Sequence, residues 1–348
     1  MDDALTEPGS VKGCHVDGRP PELVELQGGQ GLQIICMDIG ATWLSCRVPT
    51  GDQKREVLLG HEHLSSYLNS GACMGATVGR YANRIANGRF QGDNGIVQLA
   101  TNEGGNTLHG GPEGFHRRRW RIAEVSGSSV SFELHSPDGD QGFPGNLTAS
   151  VQYSISGDAV EIRFRAETDR QTAINLCNHA YFNLADAAGQ SDCGSHSLSI
   201  AADHYLPVDQ AGLPRDGLML VEGTDFDFRR GRIVGKQGRG QSGYDHSWLL
   251  DREAGSMASP GCVLKAPDRS LTLEVLTDKP ALQVYTGEGL RGLPARGGGT
   301  FEARAGLALE TQFLPDSPNH PEWPQRTCLY GPAEDYRFTT VYRFTVPA

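Results

Sequence analysis

The chain has 348 residues and a formal net charge of −11, from 42 acidic and 31 basic side chains. This balance lacks the basic footprint that phosphate backbones require, so we expect no nucleic-acid partner. Hydrophobic residues make up 38% of the chain. No stretch reaches the roughly 18 apolar residues of a membrane span, so we expect no membrane partner either.

The eight cysteines are spread along the chain, with no Cys-x-x-Cys motif. Small disulfide scaffolds and thiol-based metal sites need cysteines that lie closer together. The first residues are acidic and contain no apolar run, unlike a secretory signal. We therefore interpret the cysteines as free thiols and predict a cytoplasmic location.

The chain begins with a segment that shows no regular pattern. Residues 1–28 are rich in Gly, Pro and charged side chains, so we interpret them as an N-terminal lead-in. Helical periodicity is scarce afterwards, and the best candidate is a short turn near residues 61–68. Neither an internal repeat nor a low-complexity linker divides the rest. Residues 29–348 are therefore predicted to form a single domain.

Apolar residues alternate with polar ones in five later runs. These are Val130, Phe132 and Leu134; Val151, Tyr153 and Ile155; Val160, Ile162 and Phe164; Leu271, Leu273 and Val275; and Tyr342, Phe344 and Val346. A period of two places one side of a strand on a core. Turn residues at 126–129 and 157–158 are typical of hairpins. Because strands follow one another without intervening helices, the sequence predicts an all-β fold, a large antiparallel β-sandwich with few short helices.

Two short motifs could bind a cofactor or a metal, but their surroundings favour neither. The GxGxxG pattern at residues 238–243 lacks the preceding strand and following helix of a dinucleotide site, so we interpret it as a flexible loop. His61 and His63 have no further ligands at a suggestive spacing, so we interpret them as a solvated surface pair. We therefore predict no cofactor and no metal.

Six other segments carry polar side chains that could act on a small polar molecule. They read GATVGRYANRIANG at 75–88, TLHGG at 107–111, NHAYFNL at 178–184, YDH at 244–246, LQVYT at 282–286 and LALETQ at 307–312. A carboxylate such as Glu310, within an apolar strand, is costly to bury unless it is paired or functional. Taken singly, Glu310 also fits a structural ion pair, and a strand histidine such as His179 fits a satisfied structural group.

Together these segments resemble the aldose 1-epimerase (galactose mutarotase) family. The patterns GRYANRI, LHGG, NHxYFNL, YLPVD, YDH and LETQxxPDSPN occur in this order at 79–85, 108–111, 178–184, 205–209, 244–246 and 309–319. The resemblance spans residues from about 30 to 346. It implies a galactose mutarotase-like β-sandwich with a sugar site on one broad face. It also implies an isomerase that interconverts the α and β anomers of free hexoses, such as galactose and glucose.

The same resemblance implies roles for eight residues. Glu310 matches the family's general base, and His179 matches its general acid. The matching sugar-binding positions are Asn83, Arg84, His109, Tyr181, Asp245 and Gln283. A carboxylate and an imidazole suit the opening of a hemiacetal ring. One group takes a proton from the anomeric hydroxyl while the other gives a proton to the ring oxygen. Two such groups need neither a metal nor a cofactor.

Three other interpretations remain open. Glu310 and Asp245 could be the carboxylate pair of a glycoside hydrolase, which also needs an acid and a base. A non-catalytic sugar-binding module could share the fold, although a pure binder would not require Glu310 and His179. A relative acting on a hexose 6-phosphate would need a cluster of cationic side chains to bind the phosphate. The motifs contain no such cluster beyond Arg84, so we rank this interpretation below a free sugar. The sequence leaves open the preferred sugar and the oligomeric state, monomer or homodimer.

Overall fold

The structure is a computed structural model that describes residues 16–185, 187–188, 192–235, 243–251 and 257–347. Over these ranges the chain forms 27 strands, one α-helix and six short 3₁₀ turns. Strands therefore predominate, which confirms the prediction of an all-β fold with few short helices.

The elements follow one another in this order. The first strands are β1 (Leu23–Gln27), β2 (Gln33–Met37), β3 (Thr42–Thr50), β4 (Gln53–Glu56), β5 (Thr77–Val78), β6 (Arg84–Ile85), β7 (Arg89–Gly92), β8 (Gly95–Gln98), β9 (Thr107–Leu108), β10 (Arg121–Val125), β11 (Ser129–Ser136), β12 (Leu147–Ser156) and β13 (Ala159–Thr168). The later strands are β14 (Thr172–Ala173), β15 (Cys177–Asn178), β16 (Tyr181–Phe182), β17 (Ser197–Ile200), β18 (His204–Leu206), β19 (Met219–Leu220), β20 (Arg232–Ile233), β21 (Asp245–Leu249), β22 (Cys262–Lys265), β23 (Thr272–Thr277), β24 (Ala281–Tyr285), β25 (Leu307–Gln312), β26 (Leu329–Tyr330) and β27 (Tyr336–Thr345). The α-helix is α1 (Leu64–Asn69), and the 3₁₀ turns are Ala86–Gly88, Phe115–Arg117, Asp140–Gly142, Cys193–Ser195, Glu288–Leu290 and Ser317–Asn319.

Three antiparallel sheets contain most of these strands. The largest has nine strands in the order β10-β11-β12-β13-β27-β23-β22-β17-β20. A six-stranded sheet has the order β16-β25-β24-β21-β18-β19, and β1 to β4 form a four-stranded sheet in chain order. Strand β27 lies between β13 and β23, so the C-terminal strand completes the middle of the largest sheet.

The predicted alternation is confirmed along the central hairpin of the nine-stranded sheet. In the β12–β13 pair, Val151 lies opposite Phe164 and Tyr153 lies opposite Ile162. These four side chains are buried, whereas the residues between them are partly or fully exposed. One face of this hairpin therefore packs on the core, as a strand period of two requires.

Both expected hairpin turns are present. Gly157, at φ 63°, lies in the two-residue turn between β12 and β13, where glycine adopts a left-handed backbone without strain. Residues 126–128 connect β10 to β11 in the same sheet. The last predicted run ends early, because β23 begins at Thr272, which pairs with Thr345. Val346 therefore has no ladder partner in β23, lies beyond β27 and is 40% exposed.

The three sheets meet around the buried side chain of Trp43. Trp43 lies on β3 of the four-stranded sheet, and its ring centroid is 5.3 Å from that of Tyr342 and 6.5 Å from that of Tyr153, both on the nine-stranded sheet. On the six-stranded sheet, Phe182 lies 6.0 Å away. Truncating such a residue to alanine costs about 3–5 kcal/mol, so Trp43→Ala is the single change that would most directly loosen the sheets from one another.

The first sheet begins inside the segment expected as a lead-in. Strand β1 starts at Leu23 and pairs with β2, and its Val24 and Leu26 side chains are buried in the core. Residues 1–15 lie outside the described ranges. The division into a lead-in and one domain stays a prediction, although the sheet clearly starts before residue 29. The predicted helical turn is confirmed as α1.

The interpretation of His61 and His63 as a solvated pair is wrong for His61. Its side chain is fully buried, with Nδ1 2.5 Å from the carbonyl oxygen of Pro294. Its ring packs against Tyr67 and Phe301, with centroids 5.0 and 5.9 Å away. Because Pro294 and Phe301 are remote in sequence, the polar local pattern gave no sign of the burial. His63 is exposed, as expected.

The remaining sequence expectations can be placed on the described part of the chain. The seven cysteines found there are all free and buried, which agrees with their interpretation as thiols, while Cys14 lies outside it. Residues 238–242 of the GxGxxG pattern also lie outside it. Among the described residues, no helix is long and apolar enough to span a bilayer.

Candidate active site

Three of the predicted site residues lie on one face of the six-stranded sheet. Gln283 of β24 is paired with Ser247 of β21 on one side and with Glu310 of β25 on the other. Asp245 lies two residues before Ser247, so its side chain points to the same side of the sheet. Strand pairing therefore places Asp245, Gln283 and Glu310 in one polar group, although they are distant in sequence.

Tyr181 extends this face at the edge strand β16. It pairs with Ala308, two residues before Glu310. Its ring centroid lies 5.1 Å from that of His179 and 6.1 Å from that of Tyr285. The buried Tyr181 ring thus packs between the sheet and the connection that carries His179.

His179 lies in the short connection between β15 and β16, where the backbone fixes its position. Its N–H donates to the carbonyl of Ala76, and its carbonyl accepts from the N–H of Gly75, both at 2.9 Å. The neighbouring Asn178 donates from Nδ2 to the carbonyl of Gly75 at 2.7 Å. The glycine- and alanine-rich segment at 75–88 therefore supplies the partners that hold His179.

Asn83 and His109 flank the two-stranded ribbon formed by β6 and β9. The His109 N–H donates to the Asn83 carbonyl at 3.1 Å, and the Asn83 N–H donates to His109 Nδ1 at 3.2 Å. Both residues have left-handed backbones, with φ 68° and 50°, which few non-glycine residues adopt. Burial, reinforced by the neighbouring His179, lowers the pKa of His109 well below its usual range. Because Nδ1 accepts a bond, the neutral ring carries its proton on Nε2 and offers a neutral donor.

Two motif glycines allow this ribbon to lie against its surroundings. Gly110 has φ 85°, and a Cβ at that position would lie 1.9 Å from the carbonyl oxygen of Gly79. A Cβ on Gly79 would in turn lie 2.6 Å from the side chain of Leu176 and 2.7 Å from that of Phe115. A larger residue at Gly110 would therefore collide with the backbone at Gly79, and one at Gly79 would collide with two core side chains, which explains the glycines of the LHGG and GRYANRI segments.

Glu310 and His179 form a buried pair. Glu310 Oε1 lies 3.5 Å from His179 Nε2, and the two side chains are 3% and 7% exposed. Burial, with a smaller contribution from the Asp245 carboxylate, raises the pKa of Glu310 to about 8. Burial lowers the pKa of His179 to about 4. Between these two values both groups are therefore neutral, and the one titratable proton of the pair is on Glu310.

The pair has few protein partners for its polar atoms. His179 Nδ1 is buried and finds no hydrogen-bond partner within the described ranges. Glu310 Oε2 lies 4.0 Å from the thiol of Cys177, and the ring of His109 packs edge-on to His179 at 5.3 Å between centroids. Buried polar groups left without good partners are costly, so they indicate a site that a ligand completes.

Hydrogen bonds and one ion pair connect further polar residues beside this pair. Arg84 donates from Nε and Nη2 to the two oxygens of Glu103, at 2.7 and 2.9 Å. Its third nitrogen, Nη1, lies 3.9 Å from Asp245 Oδ2. Asp245 Oδ1 accepts from Gln283 Nε2 at 2.6 Å, and Gln283 Oε1 accepts from the hydroxyl of Ser247. The set holds Arg84, Asp245 and Gln283 in fixed orientations, ready to bind hydroxyl groups.

A cleft of about 850 Å³ opens on these residues. Its lining includes Arg84, Glu103, Asp245, Tyr285 and Glu288. The volume lies within the range of about 300–1,000 Å³ that is typical of small-molecule sites. The proton-sharing pair does not line the cleft. In the sheet, strand β24 with Gln283 separates Glu310 on β25 from the lining residue Asp245 on β21.

The chemistry that this arrangement offers is hydrogen bonding and proton transfer. Within the described ranges, no group of three or more His, Cys, Asp or Glu side chains is placed to hold a metal ion. The carboxylates of Glu103 and Asp245 face Arg84 and Gln283 instead. The eight residues predicted from the sequence are brought together by the contacts described above.

Sequence reasoning missed several residues of the site. Glu103 holds Arg84, yet it belongs to none of the motifs, and no local signal marks it. Ser247 could have been found, because it lies two residues after Asp245 on the same strand face. Tyr285 of the LQVYT segment lies on the same strand face as Gln283 and lines the cleft, as alternation predicts. Glu288 also lines the cleft, but its position depends on the turn after β24.

Comparison with known sequences places the chain in a family. The family model for aldose 1-epimerase matches residues 22–343. Among curated proteins, the chain is 47% identical to an aldose 1-epimerase of Escherichia coli strain K12, over 94% of this chain and 96% of that protein. It is 38% identical to the galactose mutarotase of Rattus norvegicus, over 94% of this chain and 95% of that protein.

Solved structures give the same result for the fold. An aldose epimerase homologue from C. elegans superposes with a TM-score of 0.87 at 27% identity, over 94% of this chain and 100% of that chain. A galactose 1-epimerase from Lactobacillus acidophilus superposes with a TM-score of 0.82 at 27% identity, over 97% and 98%. The predicted galactose mutarotase-like sandwich is therefore confirmed, and the chain belongs to the aldose 1-epimerase family.

Proposed function

We propose that this chain interconverts the α and β anomers of free hexoses, with galactose and glucose as the first candidates, and that Glu310 and His179 transfer the protons. The observation that carries the proposal is the buried pair of Glu310 and His179, 3.5 Å apart, beside a cleft lined with hydrogen-bonding groups. The family and the names of its curated relatives support the same activity.

In the proposed reaction, the ring opens by two proton transfers. The carboxylate of Glu310 accepts the proton of the anomeric hydroxyl, while the protonated Nε2 of His179 gives its proton to the ring oxygen. The bond between the anomeric carbon and the ring oxygen breaks, which leaves an open-chain aldehyde. Rotation about the C1–C2 bond presents the other face of the aldehyde. The ring closes on that face with the two proton transfers reversed, so no atom is gained or lost.

The single proton of the pair fits this scheme, although it starts on the other partner. Glu310 carries it when only the protein groups surround the pair, because burial disfavours both charges. A sugar hydroxyl that donates to Glu310 favours the carboxylate, and a ring oxygen that accepts from His179 favours the imidazolium. Substrate binding would therefore move the proton to His179 without exchange with solvent.

The remaining predicted residues would bind the sugar hydroxyls. Arg84 and Asp245 can form charge-assisted hydrogen bonds, which are stronger than neutral ones. Asn83 and Gln283 offer both donors and acceptors, and His109 offers a neutral Nε2 donor. These groups are held by each other and by Glu103, so they need little reorganisation when a sugar binds.

We also propose a cytoplasmic location and a monomeric or homodimeric state for this enzyme. The buried free thiols support a reducing compartment, because such thiols persist where disulfides are rare. Sedimentation of the purified chain would separate a monomer from a dimer. A stable tetramer would contradict the proposal.

Polarimetry tests the activity directly. Freshly dissolved α-galactose and α-glucose are expected to reach anomeric equilibrium faster with the purified chain, and His179→Asn should remove most of that acceleration. A parallel assay with an aryl galactoside tests for a glycoside hydrolase. A mutarotase needs a free anomeric hydroxyl, so it should not cleave the galactoside. Cleavage of the glycoside, or sugar binding without any acceleration, would overturn the proposed function in favour of a hydrolase or a binding module. Acceleration with a hexose 6-phosphate but not with the free sugars would favour a phosphorylated substrate.

A further inference from the structure

Lys279 is a buried charged residue that has no role in the proposed reaction. Lys279 is 1% exposed and lies in the connection between β23 and β24. Lysine is almost never fully buried unless its ammonium finds partners, because desolvating a charge is costly. The partners of Lys279 therefore indicate what its burial achieves.

The amino group of Lys279 bonds to the segment that leads to the catalytic histidine. Its Nζ donates to the carbonyl oxygen of Leu176 at 3.1 Å and to the hydroxyl of Tyr336. The same hydroxyl accepts a hydrogen bond from the N–H of Leu176 at 2.7 Å. Lys279 and Tyr336 together therefore hold both polar groups of the Leu176 peptide backbone.

Aromatic rings surround the same amino group. Its Nζ lies 4.2 to 5.7 Å from four ring centroids, those of Phe338, Tyr336, Phe313 and Phe164. Ring faces at this distance attract a cation. Burial lowers the pKa of Lys279 to about 7, and the rings act against that shift. The four rings thus restrict where the amino group of Lys279 can lie, so its hydrogen bond to the Leu176 carbonyl has a fixed geometry.

The Leu176 backbone is close to both members of the proton-transfer pair. His179 follows Leu176 by three residues, through β15. Between them, the thiol of Cys177 lies 4.0 Å from Glu310 Oε2. A shift of the Leu176 peptide would therefore displace the strand that lies against the carboxyl and ends at the imidazole.

A second set of bonds connects the Lys279 turn to the strand of Glu310. The Lys279 N–H donates to the hydroxyl of Thr277 at 3.1 Å. This hydroxyl lies 3.1 Å from that of Thr340, which lies 2.6 Å from the hydroxyl of Thr311, the residue after Glu310. The backbone at Lys279 is thus held relative to β25, and the Lys279 side chain holds the Leu176 backbone just before β15.

We infer that Lys279 is a positioning residue, which sets the distance between Glu310 and His179 by holding the Leu176 backbone. The inference rests on the proposed function of that pair. Lys279 touches neither the pair nor the cleft, so it acts on the proton transfer only through the segment from Leu176 to His179. Proton transfer between positioned groups is sensitive to displacements of about 0.5–1 Å. The cleft lining, in contrast, includes no residue of this segment, so we expect KM to change little.

The test is Lys279→Met, which matches the unbranched stem of the side chain as far as Cε and removes the amino group. The expected result is a loss of kcat of about tenfold or more, with KM within twofold, in polarimetric assays of protein shown to be folded by circular dichroism. The matched control is Leu264→Ala. Leu264 is a buried residue of β22, paired with Leu198 and Leu273 in the nine-stranded sheet, and its truncation should lower Tm while leaving kcat within twofold.

A double variant separates positioning from a general loss of stability. In a His179→Asn background, Lys279→Met should change the remaining kcat by less than twofold, because there is no imidazole left to position. An equal fold-loss in both backgrounds would overturn the inference, as would wild-type kcat in folded Lys279→Met. If Lys279→Met does not fold, Tyr336→Phe is used in its place, since this change removes only the shared hydroxyl. Its effect on kcat is then compared in the wild-type and His179→Asn backgrounds in the same way. Wild-type chain without mutarotase activity would refute the proposed function itself, whereas active wild type with a harmless Lys279→Met refutes this inference alone.

Discussion

Replacing Glu310 with Gln should lower activity and raise stability at the same time. Glutamine keeps the shape of the side chain but can neither accept nor release the proton that the ring opening requires. The loss of one acid–base group is expected to lower kcat by about 10²–10⁴-fold. Binding of the sugar should persist, because the proposed hydroxyl-binding residues Arg84, Asp245 and Gln283 are unchanged.

The gain in stability follows from the raised pKa of the carboxyl. A group whose pKa is 4.5 when unfolded and about 8 when folded opposes folding by about 1.4 kcal/mol for each pH unit between these values. Wild type should therefore be at its most stable, as far as this group is concerned, below pH 4.5. The loss amounts to about 3 kcal/mol at pH 7 and levels off at roughly 5 kcal/mol above pH 8. The amide that Glu310→Gln introduces is neutral at every pH, so the variant avoids this loss.

Two measurements check the reasoning. Polarimetry or anomeric proton NMR gives kcat, and urea unfolding at several pH values gives the free energy of unfolding. The difference between Glu310→Gln and wild type should grow from near zero at pH 4 to a plateau above pH 8. Glu124→Gln, on the exposed side of β10, is the control and should show neither effect. Near-wild-type turnover in Glu310→Gln would show that the base is another residue. A difference in the free energy of unfolding that does not change with pH would refute the raised pKa.

Four further outcomes are expected from the site. The value of kcat/KM should be constant between about pH 4 and pH 8 and fall above pH 8, as the proton shared by Glu310 and His179 is lost; a rise through pH 8 would contradict the shared proton. Asp245→Asn should raise KM by about 10- to 100-fold and lower kcat less, since it weakens charge-assisted hydrogen bonds; a collapse of kcat at unchanged KM would place Asp245 in the chemistry. Glu103→Gln should raise KM several-fold by releasing one side of Arg84, and an unchanged KM would show that Arg84 needs no partner. Extensive treatment with a chelator should leave the rate unchanged, and a loss that added divalent ion restores would reveal a metal.

The strands, and Glu310 as a costly buried carboxylate, could be predicted because their signals are local. Alternation along β12 and β13 shows which side chains face the core, and it needs no knowledge of the partner strand. Glu310 was conspicuous as a carboxylate inside an apolar run. The motif resemblance supplied the roles of His179 and Asp245, which their local patterns alone left open.

What the sequence could not show depends on contacts between distant segments. The pairing of Gln283 with Glu310 and with Ser247 is set by the order of strands in a sheet, which no local pattern encodes. His61 reads as a polar surface residue, yet Pro294 and Phe301 enclose it. Lys279 follows an aspartate and precedes a proline, as in an exposed turn, but strand β27 covers it.

The burial of the proton-transfer pair is consistent with the symmetry of the proposed reaction. Ring opening and ring closure use the same two groups in opposite roles, so the catalyst ends each cycle with the proton count at which it began. A pair that holds one titratable proton between the pKa values of its two groups needs no exchange with solvent, and its side chains can therefore be almost fully buried, at 3% and 7% exposure. Hydrolysis differs in this respect, because an activated water must reach the site in every cycle. The burial of Glu310 lowers the free energy of unfolding above pH 4.5, and the same burial keeps the proton within the pair.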